Sequence, residues 1–361
     1  MRIIQILPEL NLGGVERGSV ELAKELVKNG HESIVISNGG KLVLNLENEG
    51  SKHYKFDVCS KNILTFFWRI RKLKKLLKQI NPDVIHIRSR VPAWLVYFAN
   101  KELKIPTVAT VHGFNSVNFY SKIMTKFDCT ICVSNAIKEY LIKNYSINEK
   151  DLKVIARGVN LDEFSPDKLD FEFIKTYKNS FDINDKFIIG LVGRITQLKD
   201  IESFIKAIAL LKTDFNEVVG LIVGDARQDK MEYLNSLKEL VKSLNLEKNI
   251  IFAGSTSKIA EIYQICDVLV SSSKKPESFG RSVAEALSIG TPVVASNHGG
   301  VKDIIKDGVN GYFFEVGNEK ELSERIKLAK ELKFDGFGYI KENFSLENMA
   351  NNTMKIYESL V

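Results

Sequence analysis

Short apolar runs of strand length alternate with helical segments along most of this 361-residue chain, and that alternation leaves few architectures open. Arg2–Leu7, Ser33–Ser37, Asp83–Arg88, Thr107–His112, Cys129–Ser134 and Leu152–Arg157 read as strands, with Val15–Asn29 and Ile63–Ile80 among the helices between them. A second set runs through Phe187–Gly193, Val218–Gly224, Ile250–Ala253, Asp267–Ser271 and Pro292–Ser296. A helix between successive strands makes each connection a crossover, so the strands pair in parallel and the fold class is α/β. The charged, irregular stretch from 160 to 186 reads as the link between two domains, and the chain is long enough to give each its own core. A last helix is expected over Glu347–Val361.

Composition narrows the class. With 44% hydrophobic and 27% charged residues the chain reads as globular rather than disordered. No apolar run approaches the roughly 20 residues that a membrane-spanning helix needs. The apolar stretch in Met1–Pro8 is only of strand length, too short for a secretory signal, so a cytoplasmic location is expected. Cys129 and Cys132 fall three apart on a strand, hence on opposite faces, and read as core residues rather than as a metal pair. The net charge of +6 is uneven: Arg69–Lys78 carries six basic residues and no acid, just after Phe66-Phe67-Trp68. Ile63, Phe66, Ile70, Leu73, Leu77 and Ile80 form an apolar stripe expected to pack on the sheet, which turns the basic residues outward. That face is open to two readings, a solvated surface or a contact with anionic lipid; nucleic acid is disfavoured because no binding motif accompanies it.

The chemistry concentrates at strand ends. In Ser271–Lys302, Glu277 and Glu285 bracket Ser278, Phe279 and Gly280, and Gly280 stands just before a short helix, Arg281–Ile289. Free N–H groups and the positive dipole end favour an anion there, flanked by two carboxylate acceptors suited to hydroxyls. Arg194 and Lys199, either side of a loop after Gly193, suit a diphosphate whose charge grows as it leaves. Gly224-Asp225 ends the next strand. Gly13-Gly14 lets backbone approach a ligand at the sheet edge, but its surround is not G-x-G-x-x-G, which disfavours hydride transfer. Arg88 and Arg90 close another strand with donors for a carboxylate or phosphate, and His112-Gly113 closes a third. Ser134 reads as a helix cap.

The E-x7-E stretch with its G-T-P-V-V-A-S strand and G-G pair resembles the signature of retaining glycosyltransferases of family GT4, which have the GT-B architecture. The GGVER loop, H-G and G-R-x4-K appear in the same order, so the resemblance covers nearly the whole chain. It implies two Rossmann-like parallel-sheet domains facing an interdomain cleft: an acceptor-binding domain over 1–164, a nucleotide-sugar-binding domain over 165–344, and a helix over 345–361 crossing back. It further implies catalytic roles for His112, Glu277, Arg194 and Lys199. The implied donor site is Gly13, Gly14, Gly193, Arg194, Lys199, Gly224, Asp225, Glu277, Ser278, Phe279, Gly280 and Glu285, with Glu277 on the sugar and Glu285 on the ribose. Glu16, Arg88, Arg90 and His112 are implied on the acceptor side. No cofactor and no metal are expected; the substrate is a GDP- or UDP-linked sugar. Ala226-Arg227 replace the family's glycine-rich continuation after Gly224-Asp225, which leaves the nucleotide open. RSRVPAW resembles a subgroup that builds lipopolysaccharide core, some of them mannosyltransferases, so an envelope glycan or lipid-linked acceptor and peripheral attachment to the inner membrane are expected. A GT-B sugar-nucleotide epimerase and a non-catalytic sugar-nucleotide or membrane-binding protein are the alternatives.

Overall fold

The computed structural model describes residues 1–11 and 13–361 as two compact units, one of Met1–Gly158 with Leu346–Val361, the other of Val159–Ser345. Leu12, inside the expected turn at Asn11–Gly14, lies outside the described residues.

The first unit runs β1 (Arg2–Ile6), α1 (Gly14–Lys28), β2 (Glu32–Ser37), α2 (Val43–Asn48), β3 (Lys52–Lys55), α3 (Ile63–Ile80), β4 (Val84–Ile87), α4 (Arg90–Ala99), β5 (Thr107–Val111), α5 (Phe119–Lys122), β6 (Cys129–Cys132), α6 (Asn135–Tyr145) and β7 (Leu152–Val154). Its sheet has the order β3-β2-β1-β4-β5-β6-β7, every pair parallel. Alternate residues feed opposite faces: Ile4 and Ile6 join the cluster under α3 and α4, whereas Ile3 joins Leu22, Leu26, Val84 and Val108 on the other side. Cys132 and Cys129 divide between the same two clusters. The polar β3 escapes the apolar pattern because it is an edge strand. Ser134 caps α6, its hydroxyl accepting from the Ile137 N–H at 3.2 Å.

Helix α3 has the expected bounds and, apart from Ile63 and Arg69, the expected face. Leu73, Leu77 and Ile80 are buried, Phe66 and Ile70 pack against them, and Ile63 at the near end of the stripe is 79% exposed. Arg69, expected outside, is 1% exposed and donates to the carbonyls of Asp57 (3.4 Å) and Asn62 (3.2 Å). Helical side chains tilt toward the N-terminus, which carries Arg69 back over the first turns and the preceding loop.

The second unit contains α7 (Phe171–Ser180), β8 (Phe187–Val192), α8 (Ile201–Leu211), β9 (Val218–Val223), α9 (Met231–Ser243), β10 (Ile250–Gly254), α10 (Ile259–Ile265), β11 (Val268–Ser271), α11 (Arg281–Ile289), β12 (Val293–Ser296), β13 (Gly311–Phe314), α12 (Glu319–Lys330) and α13 (Gly336–Phe344). Its parallel sheet has the order β10-β9-β8-β11-β12-β13. The stretch from 160 to 186 is built into this unit rather than serving as a linker. Phe173, Ile174, Tyr177 and Phe181 pack with the fully buried Ile183 against Ile262 and Ile265. The division between units therefore falls after Gly158, ahead of the 164/165 boundary, and again between Ser345 and Leu346.

The last helix, α14 (Leu346–Leu360), lies on α1 within the first unit, and Ala350, Met354 and Tyr357 complete the cluster around Ile3 and Val108. The Tyr357 hydroxyl meets Nδ1 of the buried His86 at 2.6 Å, and His86 Nε2 meets the Thr110 hydroxyl at 2.6 Å. Tyr357→Phe keeps the ring but leaves Nδ1 without its partner, so a loss of about 1–3 kcal/mol is expected for a buried polar group stripped of its bond. Urea unfolding measures it; an unshifted midpoint for the transition that includes this unit would show that the bond carries no weight.

Candidate active site

In a parallel sheet the loops that follow the strands gather at one edge, and the gap is widest where strand order reverses. In the second unit that point lies between β8 and β11. The loop after β8 opens on Gly193, whose φ of 148° no side chain tolerates easily, and the loop after β9 opens on Gly224 at φ 143°. A Cβ on Gly224 would strike the Gly193 carbonyl, so the two turns interlock through bare backbone. Lys199, in the 3-10 turn Gln197–Lys199, lays its stem over Gly193; a Cβ there would lie 3.2 Å from Lys199 Cε.

The Lys199 ammonium pairs with Glu277 Oε1 at 2.5 Å, and the Ser273 hydroxyl donates to the same oxygen at 2.7 Å. His298 Nε2 bonds the Ser273 carbonyl at 2.8 Å, so the turn that carries Ser273 is held from behind. Burial acts to raise the Glu277 carboxyl, but Lys199, Ser273 and the nearby His298 outweigh it, and its pKa falls below the ordinary value. The glycine pair fixes this loop. The Gly300 N–H donates to the Glu277 carbonyl at 2.7 Å, and a Cβ on Gly299 or Gly300 would lie 2.5 Å from the carbonyl oxygen of Glu277 or Ser278. Ser278 is half-buried, Phe279 is buried, and Gly280 at φ 105° is the N-cap of α11. Glu285, one turn into α11, is buried, and its Oε2 accepts from the Tyr263 hydroxyl at 3.1 Å. Arg194 is exposed and makes no hydrogen bond or ion pair among the described residues. Asp225 is exposed and accepts from the Ser255 hydroxyl. Lys199, Ser273 and Glu277 are thus brought into direct contact, while Arg194 and Asp225 are left projecting from the neighbouring turns.

In the first unit the reversal lies between β1 and β4. Gly13 is the N-cap of α1, and the Glu16 carboxylate folds back over it. The residues just past β4, β5 and β7 are Arg88, His112 and, after two more, Arg157. The strands end a residue or more before their expected ends, and these side chains belong to the loops. Arg88 is 6% exposed, with its Nη2 beside Gly18 and its Nε without a partner among the described residues. Burial lowers its pKa to about 10 against the pull of Tyr357 and Glu21. Arg157 Nη2 meets His112 Nδ1 at 3.2 Å, and Nη1 donates to the Gly14 carbonyl at 3.0 Å. Burial first, then Arg88, Arg157 and His86, push the His112 pKa well below its ordinary value, so the ring is neutral. Arg90 turns elsewhere, donating to the Ser121 hydroxyl at 3.0 Å with its guanidinium 5.7 Å from the Tyr120 ring centre. Arg88 and Arg90 therefore do not form one fork. Sequence reading missed Ser273, Tyr263 and Arg157; only Arg157 carried a signal, its place at a strand end like Arg88 and His112.

Residues 12–163 match the model for Glycosyltransferase Family 4 and residues 173–345 that for Glycosyl transferases group 1. A crystal structure of a glycosyltransferase from Rickettsia africae ESF-5 is 33% identical, with a TM-score of 0.91 over 99% of this chain and 98% of that one. The Anabaena protein HepE, solved in complex with UDP, shares the GT-B fold at 21% identity and a TM-score of 0.87, each chain covered in full. An Escherichia coli UDP-Gal:alpha-D-GlcNAc-diphosphoundecaprenol alpha-1,3-galactosyltransferase is 28% identical over 94% of this chain and 93% of that one.

The Lys199–Glu277 contact has a pH signature. Because the folded-state pKa of Glu277 lies below its usual 4.5, its stabilisation is present above that value and is lost as pH falls through the lower folded value. Wild type is expected to exceed Glu277→Gln in urea resistance at pH 7 and to converge with it toward pH 3. A gap unchanged across that range would show that the carboxylate charge is not what stabilises the loop.

Proposed function

Since the chain belongs to glycosyltransferase family 4, we propose that it is a retaining enzyme that moves a hexose such as mannose from a UDP- or GDP-linked sugar to an envelope glycan, of lipopolysaccharide-core or other lipid-linked type. The observation that carries this is the Lys199–Ser273–Glu277 cluster beside the open N-terminus of α11. Cation, carboxylate and helix N-terminus there match the parts of a nucleotide sugar: diphosphate, hexose hydroxyls and the phosphate nearest the helix. Glu285, oriented by Tyr263, takes the ribose diol. The UDP held by HepE and the UDP-galactose named for the E. coli relative support a nucleotide donor. In the first unit Glu16, Arg88 and His112 serve the acceptor, and Arg90, turned to Ser121 and Tyr120, drops out of that set.

In the proposed reaction the bond from the anomeric carbon to the diphosphate oxygen breaks as the acceptor oxygen bonds to the same face. The departing phosphate oxygen takes the acceptor proton, so no protein nucleophile is needed. Arg194 and Lys199 act on the charge that builds on the leaving group, work that needs no metal. Arg194→Ala and Lys199→Ala are each expected to lower kcat by about 10²–10³, the usual cost of removing one charge-stabilising donor. EDTA is expected to leave the wild-type rate unchanged. Turnover of a UDP- and GDP-sugar panel with radiolabelled acceptors measures both; survival of turnover in both variants would place the diphosphate elsewhere.

The location follows from the acceptor. Among the described residues no helix is long and apolar enough to cross a membrane, so a lipid-linked acceptor calls for docking. Ile63, Leu64, Phe67 and Trp68 are all more than half exposed at the start of α3, and Arg71, Lys72, Lys75 and Lys78 are exposed beyond them. Lys72 sits 3.6 Å from the centre of the Trp68 ring, and Lys74 is engaged by Glu102. Each free cation near an anionic surface contributes about 1 kcal/mol, falling off within a Debye length. Cytoplasmic protein attached reversibly to the inner membrane is the result. Wild type is expected to pellet with anionic vesicles at low salt and not at high salt, and a variant with Arg71, Lys72, Lys75 and Lys78 changed to Glu to stay in solution. Equal pelleting of the two would leave this a solvated face.

A further inference from the structure

His112 has two ring nitrogens in opposite circumstances. Nδ1 lies 3.2 Å from Arg157 Nη2, and Nε2 is buried with no hydrogen-bond partner among the described residues. A guanidinium nitrogen only donates, so the nitrogen it meets must accept. A neutral imidazole with one accepting nitrogen carries its proton on the other. The same guanidinium is anchored by the Gly14 carbonyl at 3.0 Å, at the first residue of α1, which fixes the direction from which Nη2 reaches the ring.

We propose that Arg157 is a positioning residue that locks His112 in the Nε2–H tautomer, so that His112 donates a hydrogen bond to an oxygen of the bound substrate and is not a general base. The consequence for chemistry is direct. In the opposite tautomer Nε2 presents a lone pair and is able to take a proton from a hydroxyl. In this one it offers an N–H, suited to a sugar or phosphate oxygen, and the acceptor proton must leave by another route. The two guanidiniums near the ring, Arg88 and Arg157, oppose a second proton on it and keep the donor single. Arg157 also holds the Gly14 carbonyl, so one side chain contacts both the start of α1 and the ring, 143 and 45 residues away in sequence. The role for His112 in turnover rests on the glycosyltransferase reading above; the tautomer does not.

The test separates the two. Long-range ¹H–¹⁵N spectra of the full-length protein labelled at its five histidines report each ring's tautomer, with His112 assigned by its loss in His112→Ala. Wild-type His112 is expected as Nε2–H, Arg157→Met is expected to shift it toward a mixture, and Arg157→Lys, which keeps a donor, to hold a larger Nε2–H share than Met. A wild-type Nδ1–H ring, or a ring unmoved in Arg157→Met, would overturn the proposal even if every variant folds and turns over. In the kinetic arm Arg157→Met is expected to lower kcat about tenfold with little change in donor KM, and the double variant with His112→Ala to be no slower than His112→Ala alone. Additive losses would mean that Arg157 acts on substrate by itself, and the proposal would fall. Full activity in His112→Ala would overturn the proposed hydrogen bond from His112 to substrate, even where the wild-type ring is found as Nε2–H.

Discussion

Parallel pairing governs this molecule because a parallel neighbour is reached only by a crossover, and a crossover returns every chain segment to the same edge of the sheet. In each unit the loops that leave the strands therefore collect where the strand order reverses, at β1/β4 in one sheet and β8/β11 in the other. Gly13–Glu16 and Arg88 flank the first point, Gly193–Lys199 and Ser272–Gly280 the second. Adjacent loops part in opposite directions at these places and leave a crevice lined by backbone and strand-end side chains. Neither set of residues is contiguous in sequence, and the topology alone gathers them.

Charge placed in such a crevice behaves unlike charge in water. At Glu277 burial disfavours the ionised form, yet the ammonium of Lys199 and the hydroxyl of Ser273 reverse the balance, so the carboxylate stays ionised and aligned. At His112 all the influences agree: burial and the neighbouring guanidiniums both disfavour a proton, and the ring is neutral. The first arrangement preserves a charge, the second a neutral ring with a directional hydrogen bond. A family 4 glycosyltransferase has use for both, since charge must be met on the leaving group and orientation must be given to neutral hydroxyls.

The glycines act by letting backbone segments touch. Gly299 and Gly300 allow the loop of Glu277 to be held by main-chain contact, so the glutamate is positioned by a rigid bridge rather than by its own side-chain packing. Gly224 does the same for the turn that presents Arg194 and Lys199. Such contacts add no chemistry of their own, but the carboxylate and the ammonium meet because of them.

What the sequence determined by itself was everything that depends on local spacing. The strand and helix alternation, the full span of α3, the Ser134 cap and the glycine break at Gly280 follow from periodicity and backbone freedom over a few residues. The order of the motifs placed Lys199 and Glu277 in one site although they lie 78 residues apart. Edge strand β3 was not legible, because a strand with one neighbour does not need a continuous apolar run, and β13 was missed although Gly311–Phe314 is apolar. Burial of Arg69 escaped the pattern too: the helical period says which way a residue faces but not that a loop will fold over it. Only the tertiary structure decided which polar groups meet. His86 with Tyr357, 271 residues on, His112 with Arg157, and Glu285 with Tyr263 are pairings set by which strands are neighbours and which helix covers them. A hydrogen bond acts over about 3 Å and carries no trace of sequence separation, so its partners exist only once the crossovers have been made.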